Sequence, residues 1–69
     1  MATMDQIKTA RSMMNYANQV AYMIHNEANK KGFDLMSEYV RERTMTKWEP
    51  VWDRAVAYCI EHKISKHQV

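Results

Sequence analysis

The feature that most constrains this chain is a long uncharged stretch with helical periodicity. Residues 12–26 carry no formally charged side chain, yet Met, Ala, Tyr, Val and Ile recur there at helical spacing. One apolar seam steps by three and four residues along this region: Ile7, Ala10, Met14, Ala17, Ala21, Ile24 and Ala28. A second apolar row lies beside the seam: Met13, Tyr16, Val20 and Met23. Together the rows predict a helix that is buried on more than one side.

Local signals place the ends of this first helix at about residues 4–31. Thr3 and Gln6 match a capping box, in which each side chain accepts a hydrogen bond from the other residue's backbone amide. Asp5 suits the positive end of the helix dipole. Gly32 can adopt the left-handed conformation that ends many helices. The predicted helix is roughly 42 Å long, which is a great length for a chain of 69 residues.

Two shorter helices are predicted to follow. Asp34 is a good N-cap for a second helix at about residues 35–44, whose apolar face would include Leu35 and Met36. A third helix is predicted at about residues 47–64, with an apolar arc as wide as that of the first helix.

The sequence signals conflict at the boundary between the second and third helices. Thr46 and Glu49 match a second capping box, while Pro50 removes a backbone hydrogen bond and crowds the turn before it. We therefore expect a break between residues 44 and 50; one kinked rod is the alternative. Residues 65–69 are expected to form a frayed tail.

Composition narrows the class of protein. Ten Lys and Arg against eight Asp and Glu give a net charge of only +2, which is a weak basis for nucleic-acid binding. One Gly and one Pro argue against a turn-rich β fold, and the single cysteine, Cys59, rules out a disulfide within the chain. A lone cysteine and the lack of a secretory signal or membrane span favour a cytoplasmic protein.

These features predict an all-α fold, in which residues 1–69 form a single small domain. The second and third helices together are about as long as the first and would fold back along it. One such chain cannot cover two helices that are apolar over more than half their circumference, so self-association or a partner protein is expected.

The function that we predict is a small non-enzymatic protein–protein interaction module. It would be a homo-oligomer, or an adaptor or inhibitor that docks an apolar helix face on a larger protein. No cofactor and no membrane association are expected. The predicted partner-binding residues combine the second apolar row of the first helix with two tryptophans: Met13, Tyr16, Val20, Met23, Trp48 and Trp52. Packing into the chain's own core is the alternative role for both tryptophans.

The alternative function is nucleic-acid binding by a helix-turn-helix-like pair. Its contacts would come from basic residues near the connection of the second and third helices: Lys30, Lys31, Arg41, Arg43 and Lys47. However, the third helix begins with apolar and acidic residues, including Glu49 and Asp53, where a recognition helix needs polar or basic ones. A solvated basic face is the simpler reading.

Catalysis and metal binding have little support in the sequence. Cys59 and His62 lie three positions apart, but a zinc site usually has four ligands and only distant residues are left to complete it. Cys59 also falls in the middle of an apolar helix face, which suits packing better than nucleophilic chemistry. We expect no catalytic and no metal-binding residues.

Overall fold

A computed structural model describes residues 2–69 of the chain. The described part is all-helical and consists of three α-helices and one π-helical segment. Helix α1 spans Met4–Lys31, α2 spans Glu38–Arg43, the π-helical segment spans Thr44–Trp48, and α3 spans Glu49–Glu61. The last three follow one another without an intervening residue and pack along α1. The molecule is thus a hairpin of two helical arms, and we call residues 38–61 the second arm.

The predicted ends of α1 are confirmed. The Thr3 side chain accepts a hydrogen bond from the Gln6 amide at 3.2 Å, and the Gln6 side chain accepts one from the Thr3 amide at 3.0 Å. Gly32 has the expected left-handed conformation, with φ 75°. Its amide bonds to Asn29 O and the Phe33 amide bonds to Ala28 O, which is the Schellman arrangement.

The predicted break between residues 44 and 50 is wrong. Arg43, Thr44, Trp48 and Glu49 all have right-handed helical angles, and the Glu49 amide bonds to Thr44 O across the wider π turn. The predicted capping box at Thr46 does not form, because the Thr46 hydroxyl donates to Glu42 O at 2.8 Å. The extra residue of a π turn displaces the preceding carbonyls, which relieves the crowding that Pro50 would cause in an α turn.

The second arm also begins and ends at residues other than those predicted. Its N-cap is Ser37, whose hydroxyl accepts from the Val40 amide at 3.4 Å. Asp34 caps a turn instead, since its carboxylate accepts from the Met36 amide at 2.8 Å. The arm stops at Glu61 rather than at residue 64, because Lys63 adopts a left-handed φ of 55°.

The chain after α3 folds back onto the hairpin. Ile64 is buried and its amide bonds to Cys59 O at 2.8 Å. Residues 65–68 form a turn, in which the Gln68 carbonyl accepts from Arg11 at 3.2 Å, and Val69 packs against the core.

Two small apolar clusters hold the arms together. One, near the loop between the arms, consists of Ile24, Ala28 and Val40, with Trp48 packed against it. The other, near the chain ends, consists of Ala10, Cys59 and Ile64. Between these clusters, Ala17 and Ala55 are completely inaccessible to solvent. Small side chains at these positions let the two arms approach closely.

Candidate functional site

A groove that both arms line runs along one flank of α1. Its main part has a volume of about 370 Å³ and is lined by residues of both arms: Tyr16, Gln19, Val20, Met23, Ile24, Glu27, Arg43 and Lys47. A smaller depression continues it beyond Tyr16 and is lined by Met13, Tyr16, Val51 and Arg54. The two depressions share Tyr16, and together we call them the long groove.

The α1 wall of the long groove is mostly apolar, with Gln19 and Glu27 as its polar members, and is partly exposed. It contains the four α1 residues predicted to bind a partner: Met13, Tyr16, Val20 and Met23. Tyr16 is 58% exposed and Met23 is 66% exposed. Val20 is half-buried because it packs against the cluster around Ile24. The structure therefore brings these four side chains together on one surface, and their role in binding stays a prediction.

The opposite wall, from the second arm, is cationic. It carries Arg43, Lys47 and Arg54, with Val51 as its apolar member. The Arg43 guanidinium lies over the Tyr39 ring, with its central carbon 4.7 Å from the ring centroid. The sequence predicts a basic cluster that includes Arg43 and Lys47 and does not connect it with Arg54. Only the fold shows that these cations face an apolar helix.

One carboxylate, Glu27, lies at the end of the groove and is already partnered. Its Oε1 accepts hydrogen bonds from Lys31 and from the Tyr39 hydroxyl, each at 3.1 Å. The Lys31 bond, followed by the Tyr39 bond, lowers the pKa of Glu27 below its ordinary value of 4.5. Lys31 donates to the Tyr39 hydroxyl at 3.2 Å, and this bond, followed by the one to Glu27, raises the pKa of Lys31. Both groups therefore stay charged near neutral pH and offset one another.

The two tryptophans lie apart from the long groove. Their rings stack with centroids 5.4 Å apart, and both side chains are half-buried. Trp48 packs against the cluster around Ile24 and lines a separate depression with Ala21 and His25. Ala21 and His25 lie on the other flank of the α1 contact line at 100° per residue. The six predicted partner-binding residues are thus divided between two flanks of the hairpin.

Three of the five predicted nucleic-acid contacts lie near one another, because Lys31 and Arg43 both lie over the Tyr39 ring and Lys47 lines the groove with Arg43. Lys30, Arg41 and Lys47 are exposed, whereas Lys31 is paired with Glu27 and Arg43 lies on Tyr39. The connection that would separate the two helices of a helix-turn-helix pair is itself helical. Sequence reading missed this because the Pro50 region carries a valid capping signal.

The loop between the arms exposes apolar side chains that the sequence predicts on the apolar face of the second helix. Leu35 is 48% exposed and Met36 is 91% exposed, because the helix begins after them at Ser37 and not before them. Phe33 is partly covered by Tyr39, with ring centroids 4.5 Å apart. Ser37 followed by Glu38 is the sequence signal for this helix start, whereas the prediction had used Asp34.

The Cys59 and His62 pair has the packed environment that the sequence indicates. Cys59 is buried in the cluster near the chain ends, and the His62 ring lies 4.3 Å from the Tyr58 ring centroid. Within residues 2–69, no group of three or more His, Cys, Asp or Glu side chains is placed to hold a metal ion.

In the part of the chain that the structure describes, no helix has the combination of length and hydropathy that a membrane span requires. Comparisons with protein-family models, with curated proteins and with solved structures found no match to this chain.

Proposed function

We propose that this chain is a small non-enzymatic protein–protein interaction module and that the long groove is its binding surface. The observation that carries this proposal is the exposure of large apolar side chains along the α1 wall. Tyr16 and Met23 are each more than half exposed on a helix whose central residues carry no charge. Contiguous apolar surface of this kind marks interaction sites in small proteins.

The interior of the hairpin supports the same conclusion. Among residues 2–69, no large side chain is fully buried, and the completely inaccessible residues are alanines: Ala10, Ala17, Ala28 and Ala55. An ordinary domain core is dominated by large aliphatic and aromatic residues. In this hairpin the buried aliphatic residues larger than alanine are Ile24, Val40 and Ile64, and other large apolar side chains stay at the surface.

The residue types along the groove fit binding better than chemistry. Tyr and Arg are enriched among the residues that dominate binding energy, and Met adapts its shape to a partner. Glu27 is a poor general base, because its hydrogen bonds to Lys31 and Tyr39 lower its pKa and hold its carboxylate. The cationic wall would contribute orientation and steering at the rim of the interface.

Site-specific photo-crosslinking in cells tests this function. A photoreactive amino acid replaces Met23 in the groove or, as the matched control, Asn26 on the outer side of the same helix. Both positions are exposed, so the two variants differ in the side of α1 that they probe and not in their accessibility to a partner. We expect a covalent protein adduct from position 23 and little or none from position 26.

The mass of the adduct separates the two forms of the proposal. An adduct of twice the chain mass identifies a second copy, and any other mass identifies a different protein. Equal labelling from both positions, or no adduct from position 23, would contradict an interaction through the groove.

A further inference from the structure

The accessible surface of this hairpin is larger than a chain of its size normally exposes. It is 5421 Å², whereas a folded monomer of 8.2 kDa is expected to expose about 4500 Å². The excess of about 900 Å² is comparable with the ~800 Å² that each partner buries in a standard protein interface. One interface of ordinary size would therefore bring the surface into the normal range.

The shape of the hairpin explains where the excess comes from. The molecule measures 45 × 16 × 15 Å, and its radius of gyration is 14.2 Å, against about 11 Å for a compact domain of this length. Two helices side by side form a single layer, and a helical layer needs a second one to enclose a core. A second hairpin of the same length would supply that layer.

We propose that the long groove holds a second copy of this chain, giving a four-helix bundle with two-fold symmetry. The inference rests on the proposed function and names its partner. The two-fold axis runs along the 45 Å dimension, so that α1 of each copy lies against the second arm of the other. Every helix then has antiparallel neighbours, as in bundles built from helical hairpins.

Charge selects this arrangement over the other way of pairing the same faces. If the axis ran across the hairpins, the second arms would lie on one another, and the walls that carry Arg43, Lys47 and Arg54 would meet like charge with like charge. With the axis along the hairpins, each cationic wall meets α1, which is uncharged over residues 12–26.

The positions of the two walls along the hairpin fit the arrangement in which the two-fold axis runs along the hairpins. Residues 13–27 of α1 line the groove at the same level as residues 43–54 of the second arm. A rotation about the long axis preserves height, so the uncharged part of α1 falls on the cationic part of the other copy. Tyr16 and Met23 would be covered, while the long Lys and Arg side chains could extend their charged ends to solvent.

Molar mass in solution is the first test. Sedimentation equilibrium of the purified chain, from micromolar to millimolar concentration, should give twice the 8.2 kDa chain mass at the upper end. Met23→Glu should weaken the dimer by roughly 30-fold or more, the loss typical of a central interface residue. Asn26→Glu adds the same charge to the outer side of α1 and should leave the association constant unchanged.

The relative direction of the two copies is the second test. A spin label attached through an unnatural ketone-bearing residue at position 36, which is 91% exposed in the loop, leaves Cys59 unmodified. The proposed axis places both loops at the same end of the bundle, so the two labels should be within about 30 Å, given helix axes 8–10 Å apart. The opposite arrangement separates the loops by about the 45 Å length of the hairpin.

The possible results are decisive in each case. A folded monomer at every concentration, a dimer that Met23→Glu does not weaken, or labels separated by the hairpin length would each overturn this proposal. If the chain is monomeric but crosslinks from position 23 to another protein, the second copy is wrong and the interaction function stands. A monomer without any such adduct would overturn both.

Discussion

The two arms of the hairpin are built in different ways. Helix α1 is a single regular helix with a capping box at Thr3 and a glycine in the left-handed position at its end. The second arm combines a short α-helix, a π-helical segment and a longer α-helix, and the left-handed residue that follows it is Lys63. The first arm is specified by local signals, and the second contains a widened turn and a non-glycine residue with positive φ.

The contacts on either side of the π-helical segment explain why the second arm contains it. In a regular α-helix, Val40 and Cys59 would lie about 100° apart around the axis at 100° per residue. The π turn absorbs one additional residue, which removes that offset. Val40 and Cys59 can then both face α1, as the two buried clusters show. The second arm is irregular because its parts before and after the π turn must both keep the same side toward α1.

The largest expected effect concerns the close contact between the arms. Ala17→Glu puts a charge at a completely inaccessible position where no partner is available, and should lower the free energy of unfolding by about 3 kcal/mol or more. Asn18→Glu is the control, because the neighbouring side chain is exposed. Urea denaturation followed by circular dichroism measures both, and equal midpoints for Ala17→Glu and the wild type would refute the tight contact.

A pair of single-residue deletions tests the phase of the second arm. Deleting Met45, an exposed residue of the π segment, should convert the π turn to an α turn and keep Val40 and Cys59 in phase. Combined with Pro50→Ala, which removes the crowding at that α turn, it should change stability by less than about 1 kcal/mol.

The matched deletion is Ala57, which is also exposed but lies within regular α3. It rotates Cys59 and Ile64 away from α1 and should cost about 2 kcal/mol, the range for loss of buried aliphatic contacts. Thermal unfolding compares the two in the same Pro50→Ala background. If the Met45 deletion is as harmful as the Ala57 deletion, the π turn does not set the phase.

The two arm ends predict opposite effects of glycine. Lys63→Gly should raise the free energy of unfolding by about 1 kcal/mol, because Lys63 has a φ of 55° that costs a residue with a Cβ atom. Gly32→Ala should lower it by a similar amount, since φ is 75° there while no atom lies within 4 Å of the added Cβ. Chemical denaturation checks both signs, and a destabilised Lys63→Gly would show that the Lys63 side chain matters more than its φ.

The smallest effect is a pH dependence of the bond network that joins the arms. The pKa of Glu27 is lowered in the folded state, so its contribution is present above the ordinary value and is lost as the pH falls through the lowered one. The wild type should therefore lose slightly more stability than Glu27→Gln between about pH 5 and pH 3. Because both side chains of the ion pair are about half exposed, the difference should be small. It should also diminish in high salt. A parallel fall of the two proteins would assign the acid sensitivity elsewhere.

Sequence reading located one wall of the candidate site and not the other. The α1 row of Met13, Tyr16, Val20 and Met23 follows from the periodicity of one uninterrupted helix, so its members could be grouped in advance. The cationic wall of Arg43, Lys47 and Arg54 could not, because the π turn rotates Arg54, which follows it, relative to the line of contact with α1. The same offset places Trp48 against the core rather than in the groove.

The sequence by itself determined the helical class, the full extent of α1 and its apolar flank. Those features depend on side chains within a few residues of one another, such as Thr3 with Gln6 and Gly32 with the last turn. Only the tertiary structure decided that the second arm is continuous and that it contains a π turn. A π turn is unfavourable in an isolated helix, and here the packing of Val40 and Cys59 on the same side of α1 offsets that cost.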